Sequence, residues 1–170
     1  ILITLGFVLG VVYALWRAKK EGLDDDKVFD VIFYTLPFAI ICARLYFVIF
    51  EIDNYHSLMD VIAIWKGGVA IYGGIIGAVL FGALFCRLKK VPIFQMLDVI
   101  SIPFMIGQCI GRGGNFVNRG AHGGLTDLPW RMEIVEGGRT IAVHPTFFYE
   151  SFWNFIGILL LHRYYPKKKF

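Results

Sequence analysis

Apolar residues in this chain fall into five long runs separated by short charged clusters. The runs are Ile1 to Trp16, about Val28 to Phe50, about Val69 to Phe85, about Ile93 to Ile110, and about Thr146 to Leu161. A helix that crosses a bilayer needs about 20 mostly apolar residues, and each run approaches or reaches that length. The pattern predicts an all-α, polytopic transmembrane bundle of about five spans, forming one multi-pass membrane domain over residues 1–170. The first run is short for a span and opens without a polar lead, so the N-terminus reads as cut. Arg17, Lys19 and Lys20 follow it instead of a small-residue cleavage site, which argues against a signal peptide.

Between the fourth and fifth runs, Gly111 to His144 is polar and glycine-rich. Alternation near Trp130 to Ile134 and a Gly137-Gly138 turn predict a small β-hairpin, within an outward loop subdomain over about residues 112–144. Charge sets the expected orientation. Arg17, Lys19, Lys20, Lys27, Arg87, Lys89, Lys90, Arg163 and Lys167 to Lys169 place eleven positive residues on one side, against Lys66, Arg112, Arg119, Arg131 and Arg139 on the other. The positive-inside rule makes the first group cytoplasmic, so the segments around Trp65 to Tyr72 and Arg112 to His144 face outward.

Composition strengthens the membrane reading: 57% of residues are hydrophobic and 18% charged, against about 25% charged in ordinary soluble domains. The net charge of +4 is spread in clusters flanking apolar runs, as membrane-adjacent charge is, and this argues against nucleic-acid binding. Cys42, Cys86 and Cys109 lack any framework or metal-ligand spacing and read as packing residues. No metal or organic cofactor is implied.

Three constellations carry candidate chemistry. In Trp65 to Gly74, glycines at 67, 68, 73 and 74 surround Tyr72; such glycines allow close helix packing or let backbone amides approach an anionic headgroup. Tyr72 is then an interface anchor or a hydrogen-bonding group. In Gly111-Arg112-Gly113-Gly114-Asn115-Phe116-Val117-Asn118, the arginine fork suits a phosphate, the glycines expose backbone amides, and Asn115 and Asn118 add neutral polar contacts; the alternative is an arginine snorkelling to the interface. In His144 to Glu150, Pro145 opens a helix and Glu150 sits about a turn inside. A carboxylate there requires a partner or a polar cavity, with Arg112 and Arg44 as candidates, in an ion pair or directly in catalysis. Asp98 reads as structurally paired, and His56 and His122 as solvated.

These three motifs, in this order and spacing, resemble those of prolipoprotein diacylglyceryl transferases, and the resemblance runs over nearly the whole chain. It implies an enzyme of the bacterial plasma membrane, active on its extracytoplasmic face. Its reaction moves the diacylglyceryl group of phosphatidylglycerol to the lipobox cysteine in the signal peptide of a preprolipoprotein, releasing glycerol 1-phosphate. Arg112 then matches the arginine that contacts phosphatidylglycerol, Asn115 the asparagine after it, and Tyr72 the place where many members carry histidine. Catalytic roles are expected for Arg112, Tyr72 and His144. Substrate contacts are expected from Arg112, Asn115, Asn118, Gly67, Gly68, Gly73, Gly74 and Glu150. The chain departs from the family pattern at Gly120, where many relatives have glutamate, and lacks the family's N-terminal tyrosine motif and its C-terminal helices with a second arginine, so a fragment, an incomplete gene model or an inactive relative is expected. A transporter or channel-like protein is the competing reading, because intramembrane charges and glycine-rich helices also suit substrate pathways; no internal repeat supports it.

Overall fold

A computed structural model describes residues 1–52, 55, 57–118 and 120–164. His56, Arg119 and the Lys167 to Lys169 cluster lie outside them. Five long helices take up the five apolar runs: α1 (Leu2–Lys20), α2 (Asp25–Phe50), α4 (Ile71–Lys89), α5 (Ile93–Asn118) and α6 (Thr146–Tyr164). A short α3 (Leu58–Ile62) and a single 3-10 turn (Ile64–Lys66) link α2 to α4. Strands β1 (Met132–Glu136) and β2 (Arg139–Val143) lie between α5 and α6. Among the described residues four helices, α1, α2, α4 and α5, are long and apolar enough to cross a membrane. This is a multi-pass helical membrane protein.

The chain forms two compact units, residues 17–97 and residues 1–16 with 98–170. In the first, α2 packs along α4. The contact is close because Gly73 and Gly77, four residues apart on α4, are buried against α2. A Cβ at Gly77 would sit 2.6 Å from Cys42 Cβ, and one at Gly73 would sit 2.5 Å from the Cys42 carbonyl oxygen. Small residues at this spacing let helix backbones approach in lipid, where dispersion between close surfaces replaces the hydrophobic effect. The outer surfaces are apolar: Phe33 and Val79 are exposed, the inverse of a water-soluble fold and what a lipid-facing wall requires. Charge gathers at the α1–α2 turn. There Asp24 caps α2 by accepting from the backbone N–H groups of Asp26 and Lys27, and Lys27 lies 3.1 Å from its carboxylate. That ammonium holds the Asp24 carboxyl below its ordinary range.

In the second unit, the N-terminal part of α1 meets α5 through glycines, with a Cβ at Gly6 coming within 3.2 Å of the Gly107 carbonyl oxygen and one at Gly10 within 3.1 Å of that of Pro103. Helices α5 and α6 are tied by a reciprocal pair in which Ser151 Oγ donates to the Cys109 carbonyl at 3.0 Å and Cys109 Sγ donates to the Ser151 carbonyl at 3.4 Å. The predicted hairpin is present: β1 and β2 run antiparallel with Met132 opposite Val143 and Glu136 opposite Arg139. Gly137 and Gly138 turn it with φ of 57° and 78°, the left-handed region that such turns require.

Candidate functional site

The Arg112 motif is helical. Helix α5 continues through Gly111, Gly113 and Gly114 to Asn118, so these residues form its last turns and not the mouth of a loop. The expectation that the motif's glycines expose backbone amides is therefore corrected: amides inside a helix are spent on its own carbonyls. What the motif offers outward is side chains. Arg112 is one-third exposed, and its Nη2 donates to Glu150 Oε1 at 2.8 Å. Of the two candidate partners for Glu150, the structure selects Arg112. Asn115 is half-buried and Asn118 exposed; neither side chain has a hydrogen-bond partner among the described residues, and the Asn115 carbonyl accepts from Gly120 N–H at 3.1 Å.

His144 is placed by backbone pairing that runs on from β2. Its N–H donates to the Gly124 carbonyl at 3.0 Å and its carbonyl accepts from Gly123 N–H at 2.8 Å. Gly123 must lack a side chain, since a Cβ there would come within 2.8 Å of His144 Cβ. Pro145 then starts α6, its carbonyl accepting from Phe148 and Tyr149 N–H. Thr146 Oγ1 ties this start to the Ala121 carbonyl at 2.8 Å. The half-buried His144 ring has its Nδ1 3.2 Å from Tyr149 Oη, which itself accepts from Trp130 Nε1–H at 2.9 Å. Tyr149 and Trp130 were not singled out in the sequence; they lie 19 positions apart and only the hairpin brings them together. His122, expected to be solvated, is half-buried with Nδ1 3.0 Å from the Gly123 carbonyl oxygen. Asp98 shows no side-chain partner among the described residues; Ser101 Oγ donates to its backbone carbonyl.

The other motif belongs to the unit of residues 17–97. Tyr72, in the first turn of α4, is exposed, with its ring 6.5 Å from that of Tyr46. Gly73 is buried against α2 and Gly74 lies at ordinary contact distance from Ala43, so packing accounts for the missing side chain at 73. Gly67 and Gly68 are different. They form a loop with φ of 88° and 81°, and both carbonyls accept from Arg44 Nη1 at 2.6 Å. The structure thus joins Arg112 to Glu150 and His144 to Tyr149, while Tyr72 and the four glycines gather in the other unit. No group of acidic, histidine or cysteine side chains suited to a metal occurs among the described residues.

The family model for prolipoprotein diacylglyceryl transferase matches residues 1–170. The chain belongs to that family. It is 45% identical over 172 residues to the phosphatidylglycerol–prolipoprotein diacylglyceryl transferase of Finegoldia magna, covering 100% of this chain and 68% of that protein. Its identity to relatives of the same name is 43% in Clostridium perfringens, covering 95% of this chain and 64% of the relative, and 42% in Thermotoga maritima, covering 98% and 59%. The chain thus spans 59% to 68% of the length of these three relatives. Membership removes the transporter reading: the motifs at Tyr72, Arg112 and Glu150 sit in a chain whose relatives are named as transferases.

Proposed function

We propose that this chain carries the phosphatidylglycerol site of a diacylglyceryl transferase that modifies the lipobox cysteine of preprolipoproteins. The observation that supports it most is a partly exposed guanidinium, Arg112, held from one side by Glu150 at the end of a membrane-length helix. One Nη2 donor is directed to the carboxylate, and a planar fork with further donors is suited to a phosphate. Asn115 and Asn118, one and two turns along α5, supply neutral donors beside it.

The reaction needs three things from the protein. The thiolate sulfur attacks the glyceryl carbon that carries the phosphate ester. The C–S bond forms as the C–O bond breaks, and the electron pair leaves on the phosphate oxygen of glycerol 1-phosphate. Arg112 stabilises that developing charge, an effect worth about 10²- to 10³-fold per donor in comparable oxyanion sites. The thiol proton goes to a base. We assign this to His144, whose ring is oriented by Tyr149, over Tyr72, whose exposed hydroxyl has no hydrogen-bond partner to orient it among the described residues. Asn115 and Asn118, on the same helix as Arg112, contribute the neutral contacts to the headgroup. With the basic helix ends cytoplasmic, the site faces the outside of the bacterial plasma membrane.

The test incubates the purified chain in phosphatidylglycerol membranes with a lipobox peptide and measures diacylglyceryl-cysteine by mass spectrometry. Product from wild type that falls at least about 100-fold in Arg112→Ala is the expected result. Product that survives the substitution unchanged sinks the role of Arg112. A wild type that neither forms product nor binds phosphatidylglycerol sinks the reading as a whole.

A further inference from the structure

Arg44 is, with Arg17, one of two buried charged residues among the described residues. It lies on α2, six residues before the end of the helix, and is 5% exposed. Its Nε donates to the Val61 carbonyl at 2.8 Å, Nη2 to that of Asp60 at 2.6 Å, and Nη1 to both Gly67 and Gly68. Four of the five N–H bonds of a guanidinium are therefore committed to backbone carbonyls. They come from two stretches of one connection, the end of α3 and the glycine loop. The Tyr55 ring lies over the same group, 5.1 Å from Cζ. With its donors spent in this way Arg44 is not a phosphate ligand. It is a staple for the segment leading into Tyr72.

The loop is shaped around it. A Cβ at Gly68 would lie 2.6 Å from Arg44 Nη1 and 2.8 Å from Phe47 Cε1, so the chain passes over the guanidinium with no room for a side chain. Ala70 N–H then donates to the Ala43 carbonyl at 3.0 Å, which anchors the start of α4 to the same stretch of α2. A loop with two successive residues at positive φ has many alternative conformations available to it. Two hydrogen bonds from one nitrogen select one of them.

We propose that Arg44 is a positioning residue for the transferase reaction: it holds Gly67–Gly68 and the first turn of α4, with Tyr72, in the arrangement that receives the phosphatidylglycerol headgroup. This rests on the function proposed above. Lysine cannot substitute, because one ammonium cannot span two pairs of carbonyls on opposite sides of a planar fork.

The test places the full chain in phosphatidylcholine nanodiscs, titrates in phosphatidylglycerol, and compares wild type, Arg44→Lys and Gly68→Ala. Amide hydrogen exchange over residues 64–72 reports the loop, exchange within α2 and α4 reports the fold, and lipid titration reports affinity. For Arg44→Lys we expect loop exchange at least about tenfold faster, α2 and α4 protection kept, and phosphatidylglycerol affinity at least about tenfold weaker. Gly68→Ala displaces the loop while keeping the guanidinium, and should weaken affinity in the same way if Arg44→Lys does not fold. A loosened loop with unchanged affinity overturns the proposal, because Arg44 would then serve the fold alone. Unchanged loop exchange in Arg44→Lys overturns it as well. A wild type that prefers phosphatidylglycerol no more than phosphatidylcholine defeats the functional reading instead, a result separable from the first two because it appears before any substitution.

Discussion

Arg112 and Arg44 are both arginines in apolar helices, yet the structure gives them opposite occupations. Arg44 is buried and its donors are spent on carbonyls, whereas Arg112 is one-third exposed and meets a single carboxylate. Only the second is suited to a ligand, since a donor already satisfied has little to gain from a phosphate. Glu150 orients Arg112, and the difference between its charged and neutral forms is measurable. Glu150→Gln keeps the shape and a hydrogen-bond acceptor but removes the charge assistance, worth about 1–2 kcal/mol. The expected result is a roughly tenfold loss in kcat/KM for phosphatidylglycerol. Exchanging the pair, Arg112→Glu with Glu150→Arg, should restore helix stability without activity. Recovery of activity in the exchanged protein would show that the pair serves only to join α5 and α6.

At the scale of elements, α2 and α4 meet both through glycine contacts and through aromatic rings such as Phe38 and Phe81, whose centroids lie 4.4 Å apart. Gly77 is the clearest case, because a Cβ there meets Cys42 Cβ and, at 3.0 Å, Ala39 Cα. Gly77→Leu forces α4 away from α2 and should destabilise the folded state by about 1–3 kcal/mol, the usual cost of overpacking; reversible unfolding in bilayers measures it. An unchanged stability would mean that the two helices separate without loss. The last turns of α5 illustrate a different rule. Three glycines between 111 and 114 read as a loop by their propensity in water, but the structure keeps them helical to Asn118. At membrane depth each backbone group must be satisfied within the chain, and the helix does this whatever its residue propensities.

Across the whole molecule, charge and apolar length settle a layout that the tertiary contacts then fill in. Basic residues end α1 and α4, and the hairpin follows α5, so the orientation proposed from charge makes a direct prediction. In a cysteine-free background, Glu136→Cys on β1 should react with an impermeant maleimide in intact cells. Asp26→Cys in the first turn of α2 should react only after permeabilisation. The reverse pattern would invert the topology and move the Arg112 site to the cytoplasm.

The runs of apolar residues, the hairpin with its Gly137-Gly138 turn, the membrane character and the family were all legible in the chain itself. Each depends on composition or on neighbours a few positions apart, and the solvent they require is specified by hydropathy alone. Which arginine meets Glu150, what surrounds Arg44, and how Trp130 and Tyr149 orient His144 were not legible. These contacts join residues 16 to 38 positions apart, except for the His144–Tyr149 pair, which depends on how the chain enters α6. The same side chains permit several pairings, and only the packing of close-approaching helices and the path of the loops select one. The sequence by itself determined the solvent, the elements and the motifs; the tertiary structure decided which charge is left partly exposed and which is consumed in holding the backbone.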